Sequence, residues 1–358
     1  MKKSFIACLV VLLSSLLHFL AAQTTSPADS LPDQEADFFQ STTIFQKISR
    51  DSFSEVIIQT NFDSLIENKK LIAKEYPGTV LFKNGAGESF KLKVKVEVRG
   101  RYRRKVCSMP PLKINFPKKK LAKMGLYPGC DKLKLVTHCN DTEDSDQVLM
   151  KEFWSYRLYN QITPQSFKVF PLRITYVNEN QPDDRIERYG FIIENNEEMA
   201  LRQKGEIVER FGTTPDKLDR QSYHNTLMFQ YMIGNVDWNI LFNRNIKFVQ
   251  TKKDSQLIVV PYDFDYSGLV KAPHARLNPD LNQKKLEDRF CLGHFSSQEE
   301  LMQTVRDFKT QQGMGFQCFK DCRILDRSFK KKMDKYLKSF YAILEDEKKL
   351  RKIFLQHN

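Results

Sequence analysis

Three polar groups in a set order carry the chemistry of this sequence. Asp237 follows an apolar helical run, in Gly234-Asn235-Val236-Asp237-Trp238-Asn239. Asn243 and Asn245 come six and eight residues later, and a second apolar strand closes in Pro261-Tyr262-Asp263-Phe264-Asp265. Phosphoryl transfer needs a carboxylate beside the attacking hydroxyl, together with oxygen ligands that hold Mg²⁺. In that chemistry Asp237 is the catalytic carboxylate, and Asn245, Asp263 and Asp265 are the metal ligands. Asx turns and strand-end caps use the same residue types. The order helix, Asp, Asn, strand, Asp-Phe-Asp favours the chemical reading.

Other groups complete the set. Arg99-Gly100-Arg101-Tyr102-Arg103-Arg104-Lys105 follows an alternating strand. A glycine in a basic turn can cradle phosphate through backbone N–H groups and guanidinium, so Arg99, Gly100 and Arg101 are expected nucleotide contacts. A solvated basic turn is the alternative. Lys113, within Leu112–Phe116, is expected to meet the nucleotide phosphates, with Glu152 on the following helix holding it. Lys134, in Leu133-Lys134-Leu135, is its rival. Glu194 closes Gly190-Phe191-Ile192-Ile193 and is expected at a hinge, where the backbone would meet an adenine edge. His138 and His274 could act as general bases. Gly-x-Ser-x-Gly and His-Glu-x-x-His are both absent, which argues against hydrolase chemistry.

The elements that must position these residues are legible in outline. Leu92, Val94, Val96 and Val98 alternate with Lys91, Lys93, Lys95 and Glu97, the period of a strand with one wet face. Asn84-Gly85 and Gly87 mark the preceding turn. Further strands are expected over 54–59, 79–82, 112–116, 133–137, 167–177, 189–194, 246–249 and 257–261. Helices are expected over 147–160, with Asp146 as N-cap, and over 218–233. A third apolar stripe, Phe329, Met333, Tyr336, Leu337, Phe340 and Leu344, has helical spacing. The result is an α+β chain, β-rich first and mainly helical last.

Met1-Lys2-Lys3 precedes an apolar run from Phe5 to Leu20 and the small pair Ala21-Ala22, the pattern of a signal peptide. Its removal predicts an exported protein, periplasmic, cell-surface or secreted, with no later transmembrane segment. Seven Cys become six on loss of Cys8. An even count in an oxidising compartment predicts disulfides among Cys107, Cys130, Cys139, Cys291, Cys318 and Cys322. Zinc on Cys107, Cys130, His138 and Cys139 is the weaker alternative, since no Cys-x-x-Cys pair exists. About 335 mature residues predict two domains or lobes. The formal charge of +13 falls to +11 without Lys2 and Lys3, which favours acidic partners. Basic residues are scattered without an aromatic platform, which argues against nucleic acid. The expected organisation is a signal peptide over 1–22, a flexible linker over 23–45, a β-rich lobe over 46–194, and a hinge with a C-terminal lobe over 195–358.

With these motifs assembled, the chain resembles the CotH kinase family of atypical, often exported bacterial kinases, from about Val56 to Ser267. The resemblance rests on Val98-Arg99-Gly100, Leu112–Phe116, Leu133-Lys134-Leu135, Gly190–Glu194, Asn235–Asn239 and Pro261–Asp265. It implies a two-lobed protein-kinase-like fold that binds ATP and Mg²⁺ and phosphorylates Ser or Thr of a protein acceptor. Asp237 then looks like the catalytic Asp, and Asp263 like the metal-binding Asp. Where the family's Arg-Gly turn continues with Asn and Ser, this chain has Arg101 and Tyr102. A non-catalytic binding module for an acidic ligand is the alternative that this departure suggests.

Overall fold

The computed structural model describes residues 31–320 and 322–355. The expected leader, with Cys8, lies outside them, as does the side chain of Cys318. Two compact units are distinguished, the first ending at Gln40 and the second beginning at Ser41. In the first, Leu31–Gln40 is helical where a polar composition predicted flexible linker. Pro32 and Asp33 in the first turn and Glu35-Ala36 behind them suit a helix start. The expected linker also ends early, because Ile44–Arg50 is a helix with a capping box on Thr43 and Gln46.

The second unit is α+β and has two apolar cores. Seven strands close into a barrel: β1 (Glu55–Thr60), β2 (Glu75–Lys83), β3 (Ser89–Val98), β4 (Leu112–Asn115), β5 (Lys132–Val136), β6 (Val169–Asn178) and β7 (Gln181–Ile193). Their order around the barrel is β1-β2-β3-β4-β5-β7-β6, and β1 closes it by pairing parallel to β6. Leu92, Val94 and Val96 point inward with Ile58, Val80, Ile114, Leu133 and Ile174 to form the first core. The expected turn before β3 is built by Asn84, whose Oδ1 accepts from the amides of Ala86 and Glu88.

Helix Ser145–Ile162 leaves the barrel and buries Leu149, Phe153 and Tyr156 in the second core. It begins one residue before the expected cap, so Asp146 lies in its first turn. Helix Arg220–Ile233 runs beneath a three-stranded sheet of β8 (Gly205–Val208), β9 (Ile246–Thr251) and β10 (Leu257–Pro261), ordered β10-β9-β8. Met333, Leu337, Phe340 and Leu344 of helix Arg327–Leu344 fill the same core as the stripe predicts. No helix among the described residues is long and apolar enough to cross a membrane.

Cysteine pairing is narrower than expected. Cys107 and Cys139 form a disulfide, whereas Cys130, Cys291 and Cys322 are free. Cys130 is 1% exposed, and burial pushes its thiol up. It behaves as a small apolar core residue.

Candidate functional site

Helix Arg220–Ile233 ends at Gly234, whose φ of 65° continues the chain in a left-handed cap. A side chain there would also strike the Tyr336 hydroxyl. Asn235, fully buried, accepts the Asp237 amide at 3.0 Å and donates to Gln230 at 3.0 Å. These bonds set the direction of the loop that presents Asp237. Asn239 and Arg244 exchange backbone hydrogen bonds at 3.0 and 2.9 Å and close the loop. Asn245 then donates Nδ2 to Asp237 Oδ2 at 2.9 Å and to the Asp237 carbonyl at 2.6 Å. Arg244 Nη1 lies 3.6 Å from Asp237 Oδ1.

The second carboxylate cluster hangs on a buried aromatic. Phe264 is fully buried, with its ring 4.6 Å from Tyr156 and 5.3 Å from Phe229. Burying such a ring stabilises the segment by about 2–3 kcal/mol, and it anchors Asp263 and Asp265 on either side. Asp263 has φ 63°, and its amide donates to Tyr156 Oη at 2.8 Å. Asp265 Oδ2 lies 2.7 Å from His274 Nε2. Arg103 Nη1 is 3.5 Å from Glu152 Oε2 and 4.0 Å from Asp265 Oδ2, while Nη2 donates to the Thr137 carbonyl.

These groups open into one cleft of about 870 Å³. Arg99, Gly100, Arg101, Glu152, Asp237, Asn245, Asp263 and Asp265 all line it. Lys113, Lys134, Glu194 and His138 stand elsewhere. Lys113 pairs with Glu97, its direct neighbour across β3 and β4, which period-two alternation on both strands dictates. Its rival Lys134 stands opposite Lys113 on β5, donates to Asn196, and lies 4.8 Å from the Phe167 ring centre. Glu194 is buried against Arg202 at 2.7 Å and accepts the Lys168 amide at 2.6 Å. Its own amide donates to the Lys168 carbonyl, so neither its side chain nor its N–H is available to an adenine. His138 is a core histidine that burial pulls down to about 4.

Arg103 is the functional neighbour that sequence reasoning left unassigned, and His274, named there only as a possible general base, stands against Asp265. Arg103 takes the Glu152 partnership expected of Lys113. The basic run Arg99–Lys105 was its only signal, and nothing in the run's spacing marks which guanidinium turns inward.

The carboxylates are not equivalent. Burial, then the adjacent Asp265 charge, pushes Asp263 up to about 7, against Arg103 and Arg99. Asp265 is also penalised by burial, but the His274 hydrogen bond and Arg103 hold it below the usual range. Burial raises Glu152 well above its ordinary value, with Asp265 adding to the effect. Asp237 is raised too, chiefly by burial, with Arg244 and Asn245 opposing. Asp263, crowded against Asp265, takes up a proton at about 7, a buried carboxylate that a cation beside it would keep ionised. Asp263, Asp265 and the Asn245 side-chain oxygen are hard ligands of the kind Mg²⁺ takes, so the residues present fit that ion. Compared with known proteins, the chain matches no family model and no curated protein sequence.

Proposed function

We propose that this chain is an exported, CotH-type kinase with a two-lobed protein-kinase-like arrangement, transferring the γ-phosphate of ATP to a Ser or Thr hydroxyl of a protein acceptor. The observation that carries the reading is the convergence of Asp237, Asn245, Asp263 and Asp265 with Arg99–Arg101 in one cleft. Its volume lies within the range of about 300–1,000 Å³ usual for small-molecule sites.

Asp237 accepts the proton of the acceptor hydroxyl and orients it toward the phosphorus. Burial raises its affinity for a proton, the direction that suits a general base. Asn245 holds that carboxylate in one rotamer. Arg99 and Arg101, with the Gly100 turn, neutralise the phosphates. Arg103 lies between Glu152 and Asp265, and the His274 hydrogen bond, then Arg103, keep Asp265 ionised. Mg²⁺, when bound by Asp263, Asp265 and Asn245, supplies charge neutralisation of the phosphate oxygens. Catalysis in this arrangement is positioning and electrostatics, without a covalent intermediate on the protein.

Incubation with γ-labelled ATP and Mg²⁺, scored on the protein itself and on a panel of exported proteins, tests the reading. Label on Ser or Thr that disappears in Asp237→Asn supports it. An absence of label on every acceptor, with nucleotide still bound, favours the non-catalytic binding module.

A further inference from the structure

We propose that Cys107, Cys139 and His274 are a soft-metal site masked by the disulfide, and that reduction of the bridge opens it to an ion such as Zn²⁺. The proposal is independent of phosphotransfer. One ligand atom from each residue lies within 4.8 Å of the other two, and all three residues are buried. Cys139 Sγ is 3.7 Å from His274 Nδ1. A tetrahedral zinc with Zn–S of about 2.3 Å and Zn–N of about 2.0 Å has a sulfur–nitrogen edge of about 3.5 Å. The existing span therefore needs to close by only about 0.2 Å. The two released sulfurs need to part to about 3.8 Å, the corresponding sulfur–sulfur edge.

The imidazole is held from its far side. His274 Nε2 lies 2.7 Å from Asp265 Oδ2. With Nε2 turned to that carboxylate, Nδ1 is the ring nitrogen that faces sulfur. Carboxylate–histidine–metal arrangements use this geometry to orient the ring and raise its basicity. A cavity of about 20 Å³ adjoins Cys139 and His274, with Asp265 and Arg103 in its wall. That is room for one water, the fourth ligand of a three-residue site. Two thiolates and an imidazole prefer zinc to magnesium, whereas the cleft offers oxygen ligands; Asp265 borders both sites.

The chemistry balances with a dithiol reductant. Two electrons and two protons pass to the sulfurs of Cys107 and Cys139, and the reductant leaves as its own disulfide. The ion then displaces the two thiol protons.

Co²⁺ titration of dithiol-reduced protein, freed of reductant without air, tests this. The expected result is a single ion per chain with thiolate-to-cobalt charge-transfer absorption and tetrahedral d–d bands, displaced by Zn²⁺ and absent from oxidised protein. The bands should persist in Cys130→Ser/Cys291→Ser and vanish in Cys107→Ser/Cys139→Ser. Asp265→Asn should weaken binding about 10–100-fold. Reduced wild-type protein with titratable thiols but no charge-transfer band, folded or not, overturns the proposal, as does a band that survives in Cys107→Ser/Cys139→Ser. The wild-type arm decides whether or not the variants fold.

Discussion

Asn245 donates its side-chain amide to both the carboxylate and the carbonyl of Asp237, at 2.9 and 2.6 Å. The Asp237 carboxylate and the first residue before β9 are thereby held as one unit, across a loop whose Asn243 and Asn245 both have positive φ. Asp237→Asn removes the proposed base and keeps the shape. Phosphoryl transfer should fall by about 10²–10⁴-fold while nucleotide affinity, measured by calorimetry, stays within a few-fold of wild type. Equal losses in both would place Asp237 in binding instead.

Tyr156 reaches from its helix to accept the Asp263 amide. Tyr156→Phe leaves that buried N–H without an acceptor, at a cost of about 1–3 kcal/mol in chemical denaturation. Because the amide is on the aspartate that faces the cleft, Mg²⁺-dependent nucleotide binding should weaken alongside. A stability loss with unchanged binding would show that the bond serves packing alone.

Arg103 stands between two buried carboxylates, Glu152 and Asp265. Arg103→Met leaves Glu152 without its cation and Asp265 with His274 alone, and should destabilise the protein by about 3–5 kcal/mol. Pairing it with Glu152→Met should recover part of the loss, since the double change removes a buried charge as well as its partner. Additive losses in urea unfolding would mean that the two side chains act independently.

Glu198 supplies a pH signature away from the cleft. It is 1% exposed and accepts the Thr43 hydroxyl at 2.6 Å. Burial, then the Glu194 charge, pushes it up to about 8. A folded value above the unfolded one means that the native state holds the proton more tightly. Its contribution to stability is full below about pH 4 and is lost as pH rises through about 8. Glu198→Gln should flatten that part of the melting-temperature profile and raise the melting temperature at about pH 8 relative to wild type. Parallel profiles would contradict the assignment.

What was legible in the sequence follows from periodicity. Lys91–Val98 alternates because β3 has one face in the barrel, and helix Arg220–Ile233 ends where Gly234 says it should. The polar half of β7 was hidden, since Gln181–Glu187 is exposed throughout and carries no burial pattern to read. The short helices Phe62–Glu67 and Lys118–Lys123 span too few turns to show one. At the site, the order of Asp237, Asn245 and Asp263 was visible because chain order and geometry coincide there. Lys113 was misplaced because an alternating strand shows which face a lysine shares, and Glu97 on the neighbouring strand shares the same one. The Arg103–Glu152 pairing joins residues that only the barrel and the disulfide bring together, and no local pattern records it.

The account stands on a nucleotide site that needs Asp263. At φ 63° an alanine would be strained, whereas asparagine tolerates the left-handed region, so Asp263→Asn isolates the charge. Thermal melts of wild type and Asp263→Asn with ATP and Mg²⁺ test the claim most directly. Ligand at a hundredfold excess over its dissociation constant should stabilise wild type by about 2.7 kcal/mol. That shift should require the metal and disappear in the variant. No shift for wild type at millimolar nucleotide, or the same shift in Asp263→Asn, would contradict the account.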